Sequence, residues 1–145
     1  MKRFLILTLI LPLLIFSACA EEEALEAKRG QIEVLVDNEP FDPTSGELSL
    51  SDGAVLCGYS YKEVFIKNIG NKKVSITATI EPENSAFEIT STIDNTLVKP
   101  GASQAIGVRY TPTTDKNNEE AKLIVKAREI NQTLTFNLSG KGTST

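Results

Sequence analysis

Apolar and polar residues alternate along most of this chain after Gly30. In the segment QIEVLV, Ile32, Val34 and Val36 fall on one side. The same alternation recurs in VSITATI (74–80), AIGVRY (105–110), AKLIVKA (121–127) and TLTFNL (133–138). Successive side chains of a β-strand point to opposite faces, so this period of two predicts strands with one buried face. A helical fold would need a period near 3.6 residues, which these segments lack.

Turn-forming residues separate the alternating runs. These turn segments are NIGNKK (68–73), EPENS (81–85), KPG (99–101), TPTTDKNNEE (111–120) and INQ (130–132). Short strands punctuated in this way are typical of an antiparallel sandwich. We therefore predict an all-β fold: a single immunoglobulin-like antiparallel β-sandwich of about seven strands over residues 31–143. No internal repeat is visible, and the length suits one domain.

The first 18 residues have the pattern of a signal peptide. Lys2 and Arg3 precede an apolar stretch from Phe4 to Phe16, which is shorter than the roughly 20 residues of a membrane-spanning helix. Residues 19–30 begin with Cys19 and continue through AEEEALEAKRG, which has one Leu and no apolar stripe. We predict a lipoprotein signal peptide at 1–18 and an acidic tether at 19–30.

Cys19 stands where the apolar stretch ends. The segment LIFSAC (14–19) resembles the bacterial lipobox, in which small residues precede a Cys that is lipidated and becomes the mature N-terminus. The resemblance implies a membrane anchor through lipid on Cys19, since two or three acyl chains hold a protein on a bilayer. The alternative is cleavage after Ala20, which would remove Cys19 and release a soluble secreted domain.

Composition limits the chemistry. Without residues 1–18, 13 Lys and Arg face 19 Asp and Glu, a net charge of −6. This argues against nucleic acid or anionic lipid headgroups as partners, because both need clustered cations. The chain has no His, which excludes Ser-His and Cys-His catalysis. We predict no enzymatic activity, no cofactor and no metal site.

Two further patterns in the sequence concern possible chemistry. Cys57 is expected to be a small buried apolar residue, with an intermolecular disulfide as the alternative. Asp115, Asn117 and Glu119 alternate as calcium-loop ligands do, but Glu120 stands where the loop requires Gly. A polar hairpin is therefore expected there.

Three segments together resemble hydin-type (ASH) domains and their major-sperm-protein relatives: FIKNIGNKKVSI (65–76), LVKPGASQAIGVRYTPT (97–113) and FNLSGKGT (136–143). The resemblance implies a binding or architectural module. It leaves the strand order before residue 60 open.

The turns and one aromatic residue of these segments carry specific expectations. Gly70 is expected to supply a positive φ, and Asn68 to bond its own turn. Pro100-Gly101 fits the centre of a type II turn. Tyr110 is expected to end its strand as a core aromatic.

Two groups of residues are candidate contacts for a partner. Tyr59 and Tyr61 lie beside Cys57-Gly58, and Tyr is enriched in interface hot spots. Lys122, Lys126 and Arg128 share one side of AKLIVKAR with Ile124 and Ile130. The alternatives are that a tyrosine fills the core, and that the basic stripe is a solvated face that keeps a strand from pairing.

Together these features predict a non-enzymatic lipoprotein of the bacterial cell envelope. Its expected location is the outer membrane or the cell surface, because the acidic tract after Cys19 resembles a surface-export signal. The expected partner is a protein or an envelope polymer, bound as an extended segment at an exposed strand edge. The alternative function is an adhesin or host-facing surface antigen.

Overall fold

A computed structural model describes residues 31–54, 58–112 and 118–143 of the chain. Every secondary-structure element in these ranges is a β-strand. The strands are β1 (Ile32–Val36), β2 (Glu39–Pro40), β3 (Glu47–Ala54), β4 (Ser60–Asn68), β5 (Val74–Glu81), β6 (Phe87–Ile89), β7 (Thr96–Val98), β8 (Ser103–Tyr110), β9 (Glu119–Ala127) and β10 (Gln132–Thr143).

The strands form two five-stranded sheets. Sheet A has the order β2-β1-β4-β8-β6, and sheet B has the order β3-β10-β9-β5-β7. The buried apolar side chains form one cluster, to which both sheets contribute. This arrangement is the predicted immunoglobulin-like sandwich.

Alternation along the strands decides which side chains enter the core. In β1, Val34 and Val36 are buried and Leu35 between them is more exposed. In β9, Leu123 and Val125 are buried, while Lys122 and Lys126 face solvent. Transfer of each such side chain from water stabilises the fold by about 1.5–3 kcal/mol. The faces predicted from the period of two are therefore confirmed.

The structure adds strands that the alternation did not reveal. Ten strands lie in the described ranges, against about seven predicted. β2, β6 and β7 contain only two or three residues each, too few for a period of two to be recognised. The pairing also differs, because β3 runs parallel to β10 with a register shift between Lys141 and Gly142. The remaining ladders are antiparallel, as predicted.

Two predicted turns have different outcomes. Gly101 has φ 76° and the Ala102 N–H donates to the Lys99 carbonyl at 3.0 Å, which confirms the type II turn at Pro100-Gly101. The positive φ predicted at Gly70 is wrong, because Gly101 is the glycine with positive φ in the described ranges. The Gly70 N–H instead donates to Oδ1 of Asn68 at 3.0 Å. This Asx-type bond closes the turn through a side chain.

Tyr110 ends β8 as a core aromatic, as predicted, and is fully buried. Its ring centroid lies 4.8 Å from that of Phe87. Its hydroxyl donates to Oε2 of Glu119 at 2.7 Å. Burial, with the hydrogen bond to Glu119, raises the pKa of the Tyr110 phenol.

Candidate interaction surface

The predicted contact residues lie on different sheets. Tyr59 and Tyr61 are exposed, by 64% and 47%, and Tyr61 is on the outer face of β4 in sheet A. Lys122 and Lys126 are exposed on β9 in sheet B, and Arg128 follows that strand. The structure therefore does not bring the tyrosines and the basic residues into one site, and neither tyrosine fills the core.

The tyrosines belong to a polar cluster at one end of the outer face of sheet A. Tyr61 is paired in register with Arg109, which is paired with Glu88. Arg109 forms an ion pair with Glu88, and its guanidinium carbon lies 5.8 Å from the centre of the Tyr59 ring. The Tyr61 hydroxyl donates to Glu63 at 2.9 Å, and this bond raises the pKa of Tyr61.

Gly107 lets the Tyr61 ring lie flat on the sheet. A Cβ on Gly107 would come within 2.9 Å of Cε2 and 2.6 Å of the hydroxyl of Tyr61, and within 2.3 Å of the Thr90 hydroxyl. The ring therefore covers the glycine diagonally, a contact that also compensates for the missing side chain. Tyr61 therefore covers Gly107 with one part of its ring and remains partly exposed to solvent.

An apolar row crosses the same face next to the polar cluster. Leu35 of β1, Phe65 of β4 and Ala105 of β8 are register partners, and all three are half-buried. These residues were not among the predicted contact residues. Phe65 alternates with Val64 and Ile66, so its outward position was readable from the period of two. Its proximity to Leu35 and Ala105 depends on strand order.

The outer edge of β8 is unpaired along half of its length. β4 pairs with β8 from Ser103 to Tyr110, but β6 pairs only with residues 108–110. The Thr90 N–H donates to the Gly107 carbonyl, and the Asn68 N–H donates to the Ala102 carbonyl on the β4 side. Backbone groups of alternate residues point to the same side of a strand. The N–H and C=O groups of Ser103 and Ala105 therefore point away from β4, to the side on which β6 pairs only with residues 108–110.

Gln104 partly covers this unpaired edge. Its Nε2 donates to the Ala105 carbonyl at 2.9 Å. The Ala105 N–H has no hydrogen-bond partner among the described residues. We call residues 103–106 the free edge of β8. It presents the backbone pattern to which an added strand pairs.

Three other edge strands, β2, β3 and β7, carry features that discourage pairing. β2 is two residues long and contains Pro40, and β7 is three residues long and is followed by Lys99-Pro100. β3 is longer, but it contains charged residues and lies beside the irregular register of β10. Short strands, charges, proline and bulges are the usual protection of sheet edges. Ser103, Gln104 and Ala105 provide none of these at the free edge of β8.

The basic stripe does not have the predicted environment. β9 lies between β10 and β5, so Lys122 and Lys126 are on a central strand and do not protect an edge. Ile130 was expected to be exposed with Ile124, but it is partly buried and packs against the core. Ile124 is half-buried. The contact surface predicted there is therefore less apolar than expected.

A cavity of about 760 Å³ lies beside this stripe. Its charged lining residues are Glu47, Glu81, Glu120 and Lys122. No group of three metal-ligating side chains occurs in the described ranges. Asp115, Asn117, Cys19 and Cys57 lie outside these ranges. Glu119 is within them and accepts the hydrogen bond from Tyr110.

Within residues 31–54, 58–112 and 118–143, no helix is long and apolar enough to cross a bilayer. The predicted signal peptide and tether, residues 1–30, lie outside the described part of the chain.

Comparison with solved structures identifies the fold. The ASH/PapD-like domain 7 of human CEP192 superimposes with a TM-score of 0.57 and 12% identity, over 99% of each chain. The chain has the ASH/PapD-like immunoglobulin fold. A protein of unknown function from Porphyromonas gingivalis W83 matches with a TM-score of 0.55 and 16% identity, over 79% of this chain and 48% of that one.

A bacterial chaperone has a similar fold. The Pseudomonas aeruginosa CupB2 chaperone has a TM-score of 0.52 and 13% identity, over 68% of this chain and 54% of that one. No family model and no curated protein matches the sequence. The hydin/ASH-like resemblance of the sequence is thus confirmed at the level of fold. Fold does not by itself assign a function.

Proposed function

We propose that this protein is a non-enzymatic interaction module of the bacterial cell envelope, held at a membrane by lipid on Cys19. Its partner supplies an extended segment that pairs with the free edge of β8. The observation that carries the proposal is the backbone of Ser103 and Ala105, which pairs with no strand on its outer side and is covered in part by the Gln104 side chain. The ASH/PapD-like fold supports it, since the CupB2 protein with this fold is a chaperone, which acts on other proteins.

The surroundings of the free edge suit an added strand. The outward side chains of β8 next to it are Ser103, Ala105 and Gly107, which are small. Phe65 lies across from Ala105 on the neighbouring strand. A bound segment would therefore gain main-chain hydrogen bonds to β8 and apolar contact with Phe65. Main-chain bonds supply affinity in such complexes, while alternate side chains supply specificity.

The membrane part of the proposal rests on the N-terminal sequence. An apolar stretch of signal-peptide length ends at Ser17-Ala18-Cys19, and acidic residues follow. The decisive measurement is the mass of the N-terminal peptide from a bacterial membrane fraction. A diacylated or triacylated Cys19 supports the anchor. An unmodified peptide that begins at Glu21 contradicts it and leaves a soluble secreted domain.

Photocrosslinking in intact cells tests the interaction. A benzoylphenylalanine at Ser103 is expected to form one dominant protein adduct, whereas the same probe at Thr135, exposed on sheet B, is not. The matched variants are Ala105→Pro and Ala105→Val. Proline removes the N–H that faces the free edge, which edge strands tolerate, whereas valine keeps it.

The expected result is loss of the Ser103 adduct in Ala105→Pro and its retention in Ala105→Val. Thermal unfolding of both variants establishes that they remain folded. A folded Ala105→Pro protein that keeps the adduct would contradict strand addition at this edge.

A further inference from the structure

The tether joins the domain at one end of the sandwich. β1 begins at Ile32, and the Gln31 carbonyl accepts a hydrogen bond from the Ile69 N–H at 3.0 Å. Three loops meet at this end, covering residues 69–73, 99–102 and 128–131. Asn68 joins loops 69–73 and 99–102 through hydrogen bonds to the carbonyls of Lys72 and Ala102. Loop 128–131 is joined to the start of β5 by the hydrogen bond from the Arg128 N–H to the Ser75 carbonyl.

These loops collect four exposed cations. We define the tether-side patch as Lys72, Lys73, Lys99 and Arg128. None of the four forms an ion pair within the described part of the chain.

The nearby carboxylates do not cancel the patch. Glu33 is paired with Lys67 at 3.1 Å. Glu129 accepts hydrogen bonds from the hydroxyl and the N–H of Ser75. With Glu129 counted, this end of the domain is still positive, although the mature chain as a whole is acidic.

The opposite end of the sandwich holds the balancing acids. β5 ends at Glu81 and β9 begins at Glu119. Glu83 and Glu120 are exposed at the same end. The fold therefore separates positive from negative charge along the direction of its strands. The negative net charge therefore does not exclude anionic headgroups as partners of this end, because the fold concentrates cations there.

Two apolar side chains are exposed beside the tether-side patch. Ile69 is 42% exposed and follows Asn68, and Leu97 is 51% exposed and precedes Val98. Asn68 Nδ2 donates to the Val98 carbonyl at 3.0 Å, so the two positions flank one hydrogen bond. Exposed apolar residues beside lysines are suited to the boundary between headgroups and acyl chains.

The length of the tether holds the patch near a bilayer. From Cys19 to Gln31, the extended chain spans at most about 40 Å. The effective concentration of a tethered surface at its site is high, so weak contacts are populated.

We propose that the tether-side patch docks on anionic phospholipid headgroups of the bilayer that holds Cys19. This inference rests on the proposed membrane anchor. Lys72, Lys73, Lys99 and Arg128 contact the phosphates, while Ile69 and Leu97 enter the interface. Docking fixes the orientation of the sandwich, with its acidic end directed away from the negative surface.

Tryptophan quenching tests the orientation, because the chain contains no Trp. Single Trp residues are placed at Asn71, in the tether-side loops, and at Glu83, at the acidic end. The full lipidated chain is isolated from bacterial membranes and added to vesicles with brominated acyl chains. One set contains about one-third phosphatidylglycerol and the other only phosphatidylcholine.

Two charge variants of equal net charge provide the comparison. The patch variant carries Lys72→Gln, Lys73→Gln and Lys99→Gln. The control variant carries Lys62→Gln, Lys122→Gln and Lys141→Gln, outside the patch. At roughly fivefold per lysine, the patch variant should lower the ratio of docked to undocked domain about 100-fold on anionic vesicles. The control variant should leave the ratio unchanged.

The expected result is quenching of Asn71→Trp on anionic vesicles alone, its loss in the patch variant and in high salt, and no quenching of Glu83→Trp. Vesicle flotation reports the anchor separately. A chain that floats with neither vesicle refutes the anchor and, with it, docking. A chain that floats with both but shows the same Asn71→Trp quenching in the patch and control variants refutes docking alone.

Discussion

Asn68 is the buried polar residue on which two loops of the sandwich depend. Its side chain is fully buried. Nδ2 donates to the carbonyls of Lys72 at 2.6 Å and Val98 at 3.0 Å, and Oδ1 accepts from the Gly70 N–H at 3.0 Å. Replacement by alanine removes all three bonds at once and leaves these backbone groups without their partner.

The cost of Asn68→Ala follows from the burial of each bond. The bonds to Lys72 and Gly70 are partly buried, where water can replace a lost partner, so each contributes about 1 kcal/mol. The bond to Val98 is buried, and an unsatisfied carbonyl there costs about 1–3 kcal/mol. The expected loss in the free energy of unfolding is about 3–5 kcal/mol, a large share of a typical domain's stability.

Urea unfolding followed by circular dichroism measures this loss. Asn71→Ala is the matched control, because Asn71 is exposed in the same loop. Its effect should stay within about 0.5 kcal/mol. A loss below about 1 kcal/mol for Asn68→Ala would show that water or a rearranged loop satisfies Lys72 and Val98, and would refute the reasoning.

Asn68→Asp separates loss of the donor from loss of packing. A carboxylate keeps the acceptor for the Gly70 N–H but faces the carbonyls of Lys72 and Val98. Burial and these carbonyls should raise its pKa in the fold. The folded state then binds the proton more tightly than the unfolded state. The stability of Asn68→Asp relative to Asn68→Ala should therefore improve as the pH falls, and an unchanged difference would contradict this account.

Three further predictions concern other parts of the chain. Asn38 has φ 66° in the two-residue turn between β1 and β2. Asn38→Val should therefore lower the free energy of unfolding by about 1–2 kcal/mol, whereas Asn38→Gly should not. Equal urea midpoints for these two variants would contradict this. Hydrogen bonds from the hydroxyl of Ser75, and then from its N–H, lower the pKa of Glu129. The stability that Glu129→Gln removes at neutral pH should therefore vanish as the pH falls through this lowered pKa. A stability difference that persists in strong acid would exclude this linkage. Deletion of residues 19–30 should leave cooperative thermal unfolding intact, because the buried apolar core lies within residues 34–138, and a broad, non-cooperative transition would assign that segment a structural role.

Much of the fold was predictable because it depends on local patterns. The period of two assigned the buried faces of β1, β5, β8, β9 and β10, and Gly101 indicated the position of the type II turn. Gly70 was misjudged for a physical reason. The Asn68 side chain closes that turn, so the backbone does not need a left-handed residue there. The short strands were missed because two or three residues carry no readable period.

The candidate surface depended on contacts distant in sequence. Tyr59 and Tyr61 were found from their residue type, but Arg109 and Glu88 join them only through the pairing of β4, β8 and β6. The free edge of β8 exists because β6 ends after three residues, which nothing in the sequence of β8 reveals.

The sequence by itself determined the strand faces, the absence of His and the N-terminal pattern at Cys19, since each is read from neighbouring residues. Only the tertiary structure decided that Lys72, Lys99 and Arg128 meet at the end where the tether joins. Their loops lie far apart along the chain, and the sheets bring them together through hydrogen bonds between distant segments. Net charge is a property of composition, whereas the position of a charge is a property of the fold.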